Sequence, residues 1–366
     1  MIQKQEKELT DFRGYIAFQG VSVLKKNGHV TISDVAKKAG VSPSTVSRVI
    51  SNNSRISEAT TKKVLKCMEE MSYYPNAMAR SLARKKTGVV GVIMPTTSED
   101  ILLNPFFPEA LRGIVKGASS TEYDLLLSTN TEKDEELKII KNFIRGSKVD
   151  GVILMSSKVK DEAIKYLTEI DFPFSLIGSP EELSEQINHV DNDNFMAAYE
   201  ITCYMSMRGK KRIAMIAGEE KLTVTRKRVD GYKRALKESN LQFDPNLLFT
   251  GPFDEKTGYE YGSKIIDMSQ MPDALIVSDD LVTFGAMKIF ENSGMRVPED
   301  IAVASFNNTA LSRYSNIPIT SVDINALGLG KEAMNLLVEA MEKGIRGKKV
   351  IIPYAVHKRQ STEGLK

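Results

Sequence analysis

Apolar positions along this chain follow two rhythms, and the change of rhythm near Gly88 divides it. From residue 31 to about 72 the pattern is short, helical and punctuated. TISDVAKKAG places Val35, Ala36 and Ala39 on one helical face, with Ser33 as the expected cap and Gly40 as terminator. In VSPSTVSRVIS, Val46, Val49 and Ile50 recur at helical spacing; Ser42 is placed to cap and Pro43 to start the helix, where a missing N–H costs nothing. A third helix follows Ser57, with Val64, Leu65, Met68 and Met71 expected on its inner face and Tyr73-Tyr74-Pro75 ending it.

After Gly88 short apolar runs recur: VVGVIMP, YDLLLST, VDGVILMSS, PFSLIGS, RIAMIAG, DALIVSDD and IAVASFNN. Helical segments such as DEELKIIKNFIRG separate most of them. Continuous apolar strands alternating with helices predict doubly wound parallel sheets. About nine or ten strands exceed one compact sheet, so two α/β lobes are expected. Ligands of such sheets bind beyond the carboxyl ends of the strands. Residues 1–29 show no sustained period and read as a disordered extension, whose place in the native protein is open because patterning begins only at Val30.

Composition changes this picture in three ways. With 42% hydrophobic and 27% charged residues the chain is an ordinary globular one. An apolar run of about 18 residues, the length a membrane span needs, is absent. Net charge is +3, yet residues 30–88 carry 11 basic and 4 acidic side chains, against 34 and 40 in residues 89–366. A basic head on an acidic body points the head at a polyanion. Cys67 and Cys203 match no metal spacing and suit a reducing cytoplasm.

The head carries a specific constellation. A helix–turn–helix over 31–51 needs a small residue near the turn (Ala36), Gly40 in it, Val41 as a hydrophobic pin, and Val46 and Val49 facing inward. Ser42, Pro43, Ser44, Thr45, Ser47 and Arg48 are then left at the front of the second helix, the part that enters a major groove. Hydroxyls reach bases or phosphates there, and Arg48 has the fork for guanine O6 and N7. YYPNAMARSLARKKTG follows, where Asn76 caps a short helix and Leu82 stands among Arg80, Arg84, Lys85 and Lys86. An apolar wedge between bases suits a minor-groove step.

VTISDVAKKAGVSPSTVSRVIS followed by YYPNAMARSLA resembles the headpiece and hinge of the lac-repressor/galactose-repressor family, and the rest of the chain from Gly88 resembles its effector core. The resemblance implies a small all-α headpiece (30–75), a hinge helix and linker (76–87), and a two-lobed α/β, periplasmic-binding-protein-like core (88–366). Lobe 1 is expected over about 88–192 and 320–349, and lobe 2 over 193–319 and 350–362. It implies a homodimer on pseudo-palindromic double-stranded operator DNA, with Leu82 as hinge lever and Arg80 as hinge arginine. It also implies a sugar effector bound by Arg228 of RKRVDGYKRAL, Asp279 of VSDDL, Asn307 of SFNN, Phe253 of GPFDEKTGY, and Phe106 and Phe107 of NPFF. A guanidinium fork clamps vicinal oxygens, and aromatic faces meet sugar C–H faces.

Each has a plainer alternative: Arg228 a surface charge, Asp279 a helix N-cap, Phe253 and Phe106 ordinary core. HVDNDN, VSDDL and SFNNTALSRYSNIPITSVDIN look most like maltose and maltodextrin regulators, while Lys210 and Gly178 depart from common family residues. The function expected is a cytoplasmic, sugar-released repressor that is not an enzyme. A global carbon-catabolite regulator with a phosphocarrier partner is the alternative, and an exported solute-binding protein a remote one. Catalytic motifs are missing: His29, His189 and His357 lack partners, and no glycine-rich phosphate loop occurs. No cofactor or metal is expected, since Asp191 and Asp193 lack a third ligand.

Overall fold

The computed structural model describes residues 30–51, 55–73, 86–95, 102–128 and 135–364. The chain divides into two compact units, Met1–Arg84 and Lys85–Lys366. The expected extension (1–29), Asn76, Arg80 and Leu82 lie outside the described residues.

In the first unit, α1 (Ile32–Ala39), α2 (Pro43–Ile50) and α3 (Glu58–Glu70) enclose a small core of Val35, Ala36, Ala39, Val46, Val49, Val64 and Cys67. The cap of α1 is Thr31, not Ser33. Thr31 and Asp34 form a reciprocal capping box, with the Thr31 N–H donating to Asp34 Oδ2 at 2.9 Å, which leaves Ser33 inside the first turn. Gly40 ends α1 at φ 63°, a left-handed turn that glycine adopts without a Cβ penalty. Ser42 caps α2 as expected, accepting from the Thr45 N–H at 3.1 Å. In α3 the inner face is Val64, Cys67 and Met68; Leu65, one residue out of phase, is half exposed. The helix closes at Glu70, so Met71 packs from its cap rather than its interior.

The second unit holds two six-stranded sheets. The first comprises β1 (Val89–Ile93), β2 (Asp124–Leu127), β3 (Gly151–Leu154), β4 (Phe174–Ile177), β5 (His189–Asp191) and β11 (Lys349–Ile351), in spatial order 11-5-4-3-1-2 and wholly parallel. The second comprises β6 (Ile213–Ala217), β7 (Leu248–Thr250), β8 (Ala274–Val277), β9 (Ala302–Phe306), β10 (Thr320–Asp323) and β12 (Ala355–His357), in order 12-10-9-8-6-7. Only β12 runs antiparallel. All seven apolar runs of the sequence are strands. The five others are three or four residues long, and β5, β10, β11 and β12 carry polar or charged residues. At the sheet margins β11 and β12 are half exposed, so no continuous apolar run marks them.

Helices flank both sheets. In the first lobe α4 (Phe106–Ala118), α5 (Glu136–Arg145) and α6 (Glu162–Glu169) alternate with strands. The second has α7 (Asn194–Met207), α8 (Thr223–Glu238), α9 (Glu255–Ile266), α10 (Asp280–Asn292) and α11 (Ala310–Tyr314). The long α12 (Ala326–Lys343) returns to the first lobe against α4. Its Gly330 lies so close to the Ala110 carbonyl that a Cβ would collide with it. The chain crosses between lobes three times, after β5, after β10 and between β11 and β12. Asn192 ties the crossings together, its Nδ2 donating to the carbonyls of Ile324 (3.0 Å) and Ile352 (2.8 Å). Two expected lobe boundaries shift accordingly. β10 pairs with β9, so the second crossing follows Asp323 rather than residue 319, and β11 extends the first lobe to Ile351. Among the described residues no helix is long and apolar enough to cross a membrane.

Candidate functional site

On the first unit, Ser42, Pro43, Ser44 and Arg48 are exposed at the front of α2, while Thr45 and Ser47 are half buried. The hydroxyls of Ser42 and Thr45 lie 2.9 Å apart and share a hydrogen bond. Ser42 thus accepts at the cap, while Ser44, Ser47 and Arg48 keep side chains without a partner among the described residues. Val46 and Val49 beneath them are buried, which fixes the rotation of the helix and hence the face it presents. Of the expected hinge, only residues 86 and 87 are described, and they form no helix. There Asp150 accepts the N–H groups of Thr87 (2.7 Å) and Gly88 (2.8 Å) at the entrance to β1.

In the second unit a cleft of about 620 Å³ lies between the two lobes, at the carboxyl ends of the strands. All six residues singled out for it, Phe106, Phe107, Arg228, Phe253, Asp279 and Asn307, line it. Phe106 and Phe107 open α4 on the first-lobe wall, with ring centroids 5.0 Å apart, edge to face. The other four come from the second lobe.

Arg228 is not a surface charge. It is 4% exposed, and its Nε donates to Asn194 Oδ1 at 2.9 Å and its Nη1 to the Ser278 carbonyl at 2.7 Å. The guanidinium stacks 4.1 Å from the Phe306 ring centroid. Burial lowers its pKa to about 10, against the opposing pull of Asp191 and Asp279, so it stays cationic at neutrality. Its Nη2 remains without a partner among the described residues.

Asp279 is the helix N-cap the sequence allowed, and it also lines the cleft. Its Oδ1 caps α10, accepting from the N–H groups of Leu281 (2.7 Å) and Val282 (3.3 Å). Its Oδ2 accepts from Asn307 Nδ2 (2.8 Å) and Asn104 Nδ2 (2.9 Å) inside the cleft. Burial pushes its pKa up to about 7, opposed first by the bond from Asn104. Asn307 holds its place through an unusual backbone, φ 96°, at the end of β9.

Sequence reasoning passed over several cleft residues. The hydroxyls of Ser156, Ser157 and Ser278 are buried in the lining without a hydrogen-bond partner among the described residues. Asn104, Asn194 and Lys158 also line it. Their common signal was position: Ser156 and Ser157 come two and three residues after β3, Ser278 directly after β8, and Asn104 is the first residue of NPFF. Gly178 lines the cleft at φ 109°, whereas Lys210 reaches the Pro298 carbonyl away from it. Among the described residues no group of three or more His, Cys, Asp or Glu could hold a metal ion. Asp191 is instead bonded to Ser179, Asn192, Asn194 and Lys227.

Residues 31–76 match the model of the bacterial regulatory proteins of the lacI family, and residues 204–362 that of a periplasmic binding protein-like domain. The chain is 38% identical over 326 residues to the HTH-type transcriptional regulator MalR of Streptococcus pneumoniae, covering 88% of this chain and 95% of that protein. It is 36% identical over 339 residues to catabolite control protein A of Priestia megaterium, covering 92% and 100%. Among solved structures, the transcriptional regulator CelR in complex with cellobiose matches with a TM-score of 0.71 at 28% identity, over 91% of this chain and 99% of that one.

Proposed function

The chain belongs to the lacI family of bacterial regulatory proteins and is a DNA-binding transcription regulator, not an enzyme; from that premise we propose that it is a cytoplasmic repressor released from its operator by a neutral sugar of the maltose type. The observation that carries the effector reading is the cleft's polar lining. Three buried hydroxyls and the Nη2 of a buried arginine, without partners among the described residues, face one space with a deep carboxylate, walled by Phe106, Phe107 and Phe253. A buried hydroxyl left unsatisfied costs about 1–3 kcal/mol. A ligand rich in hydroxyls and with apolar C–H faces relieves that cost while stacking on the rings. Similarity to MalR and to a cellobiose-bound regulator supports a glucose-based oligosaccharide.

On the DNA side Ser44 and Arg48 meet base edges, and Ser42, Thr45 and Ser47 sit against phosphates. Asn76, Arg80 and Leu82 extend the contact into the minor groove. A helix–turn–helix monomer reads one half-site, so the protein acts as a homodimer on a pseudo-palindrome. Effector shifts the balance only through unequal affinity for the DNA-bound and free conformations. Similarity to catabolite control protein A keeps a second reading in view, a regulator whose DNA binding is strengthened by a phosphorylated carrier protein. Titration of the gene's own upstream DNA at fixed salt, with a panel of sugars and then the phosphocarrier, separates the two. Release by maltose or maltotriose supports the first. Tightening by the carrier with indifference to sugar supports the second.

A further inference from the structure

Asp279 enters the cleft with its hydrogen-bonding capacity already taken. A carboxylate offers about four acceptor sites. Here Oδ1 takes two backbone N–H groups and Oδ2 takes the amides of Asn307 and Asn104. A ligand hydroxyl can donate to Asp279 only when one of these donors leaves. The two N–H groups belong to the first turn of α10 and are held by its helix. Asn307 stands on the same lobe, at the end of β9.

Asn104 differs from the other three. It comes from the opposite lobe, 175 positions away, at the approach to α4. It is 3% exposed, and its orientation follows from its neighbours. Oδ1 accepts from the Phe106 N–H at 3.0 Å, while Nδ2 faces two acceptors, Asp279 Oδ2 and the Phe253 carbonyl at 3.3 Å. A flipped amide would set its oxygen against both. Each second-lobe partner of Asn104 is thus a cleft-lining residue. Two backbone bonds also join the lobes away from the crossings: the Val159 N–H donates to the Lys221 carbonyl (2.7 Å) and the Thr223 N–H to the Ser157 carbonyl (3.1 Å).

We propose that Asn104 is a positioning residue that bolts the lobes together across the cleft, and that a hydroxyl-bearing effector reaches Asp279 by taking over the acceptor site Asn104 holds. The proposal deepens the reading of the cleft as the effector site and rests on it. With Asn104 in place, the Asp279 carboxylate is solvated by amide hydrogens. Effector binding then exchanges one hydrogen bond for another rather than adding one. Selectivity at this point favours a ligand whose hydroxyl donates where the amide did, and a deoxy analogue at that position leaves the bolt in place.

Asn104→Ser and Asn104→Ala test this in the full-length protein. Serine keeps an oxygen for the Phe106 N–H but is too short for Asp279, so it guards against a merely local loss of structure. Without ligand, amide hydrogen exchange at Val159 and Thr223, which donate across the lobes, is expected to quicken about tenfold in both variants, the factor for one charge-assisted bond. Exchange in the middle of α8 should stay unchanged. Unchanged exchange at Val159 and Thr223 overturns the bolt. By calorimetry, whichever of glucose, maltose and maltotriose the wild type binds should bind both variants about three- to tenfold tighter. Weaker or equal binding overturns the displacement, because Asn104 would then serve the ligand directly. If the wild type binds none of them, the sugar reading of the cleft fails, while the exchange measurement still decides whether Asn104 holds the lobes.

Discussion

Arg228→Met separates effector binding from folding. A guanidinium has five N–H donors, and two are used internally, toward Asn194 and the Ser278 carbonyl. Three remain for a ligand, enough to fork onto a vicinal diol. At about 1.5–3 kcal/mol for each hydrogen bond to a charged group, losing two costs about 3–6 kcal/mol, or roughly a hundred- to ten-thousandfold in effector affinity. The fold loses less. Methionine retains the apolar contact with Phe306, and removal of a buried charge recovers desolvation energy that offsets the two orphaned acceptors. The net destabilisation expected is about 1–3 kcal/mol. The assay is operator binding with increasing maltose or maltotriose, alongside urea denaturation. A folded variant that holds DNA normally and ignores the sugar is the expected outcome. If it is released at the wild-type sugar concentration, Arg228 does not hold the effector.

Further outcomes are expected elsewhere in the chain. Burial raises the Asp279 carboxyl to about 7, and because an effector hydroxyl replaces the Asn104 amide on the same oxygen, effector affinity should stay nearly level between pH 5 and 8. Stability should not: a carboxyl raised by burial contributes fully below its ordinary value near 4, and that contribution is lost as pH rises through about 7. Urea titrations between pH 5 and 8 should flatten in Asp279→Asn, and parallel curves would count against the assignment. Arg48→Ala should relax base preference at one position of each half-site at a cost of about 1–3 kcal/mol, whereas Leu82→Ala should weaken operator binding and leave sugar binding intact; selection from a randomised operator pool and calorimetry read the two effects. Gly330→Ala drives a methyl into the Ala110 carbonyl and should lower stability by about 1–3 kcal/mol, read by chemical denaturation.

Local signals along the chain determined much of this protein. The caps at Ser42 and Ser57, the turn at Gly40, the inward valines of α2 and the seven apolar strands depend on contacts within a few residues, and their periods are visible in one dimension. Motif resemblance then carried Arg228, Asp279 and the phenylalanines to one ligand role, and the fold does bring them to one cleft. Where two local solutions competed, reading along the chain chose less well. Thr31 displaced Ser33 because Asp34 reciprocates its bond, and Cys67 displaced Leu65 because helix phase outranks hydrophobicity.

Other features exist only after the chain has crossed between lobes three times. The short strands β5, β10, β11 and β12 hold their places through pairing partners far away in sequence, so their own polar residues cannot announce them. Asp279 could be read as a cap or as a ligand contact; one of its oxygens caps α10 and the other faces the cleft, because the two oxygens face different elements. That Asn104 and Asp279 share a hydrogen bond across 175 residues, and that Ser156, Ser157 and Ser278 are left without partners among the described residues in the same space, follows from the packing of two sheets. Periodicity and capping are local and can be read along a chain; which donor meets which acceptor across a cleft is set by tertiary structure alone.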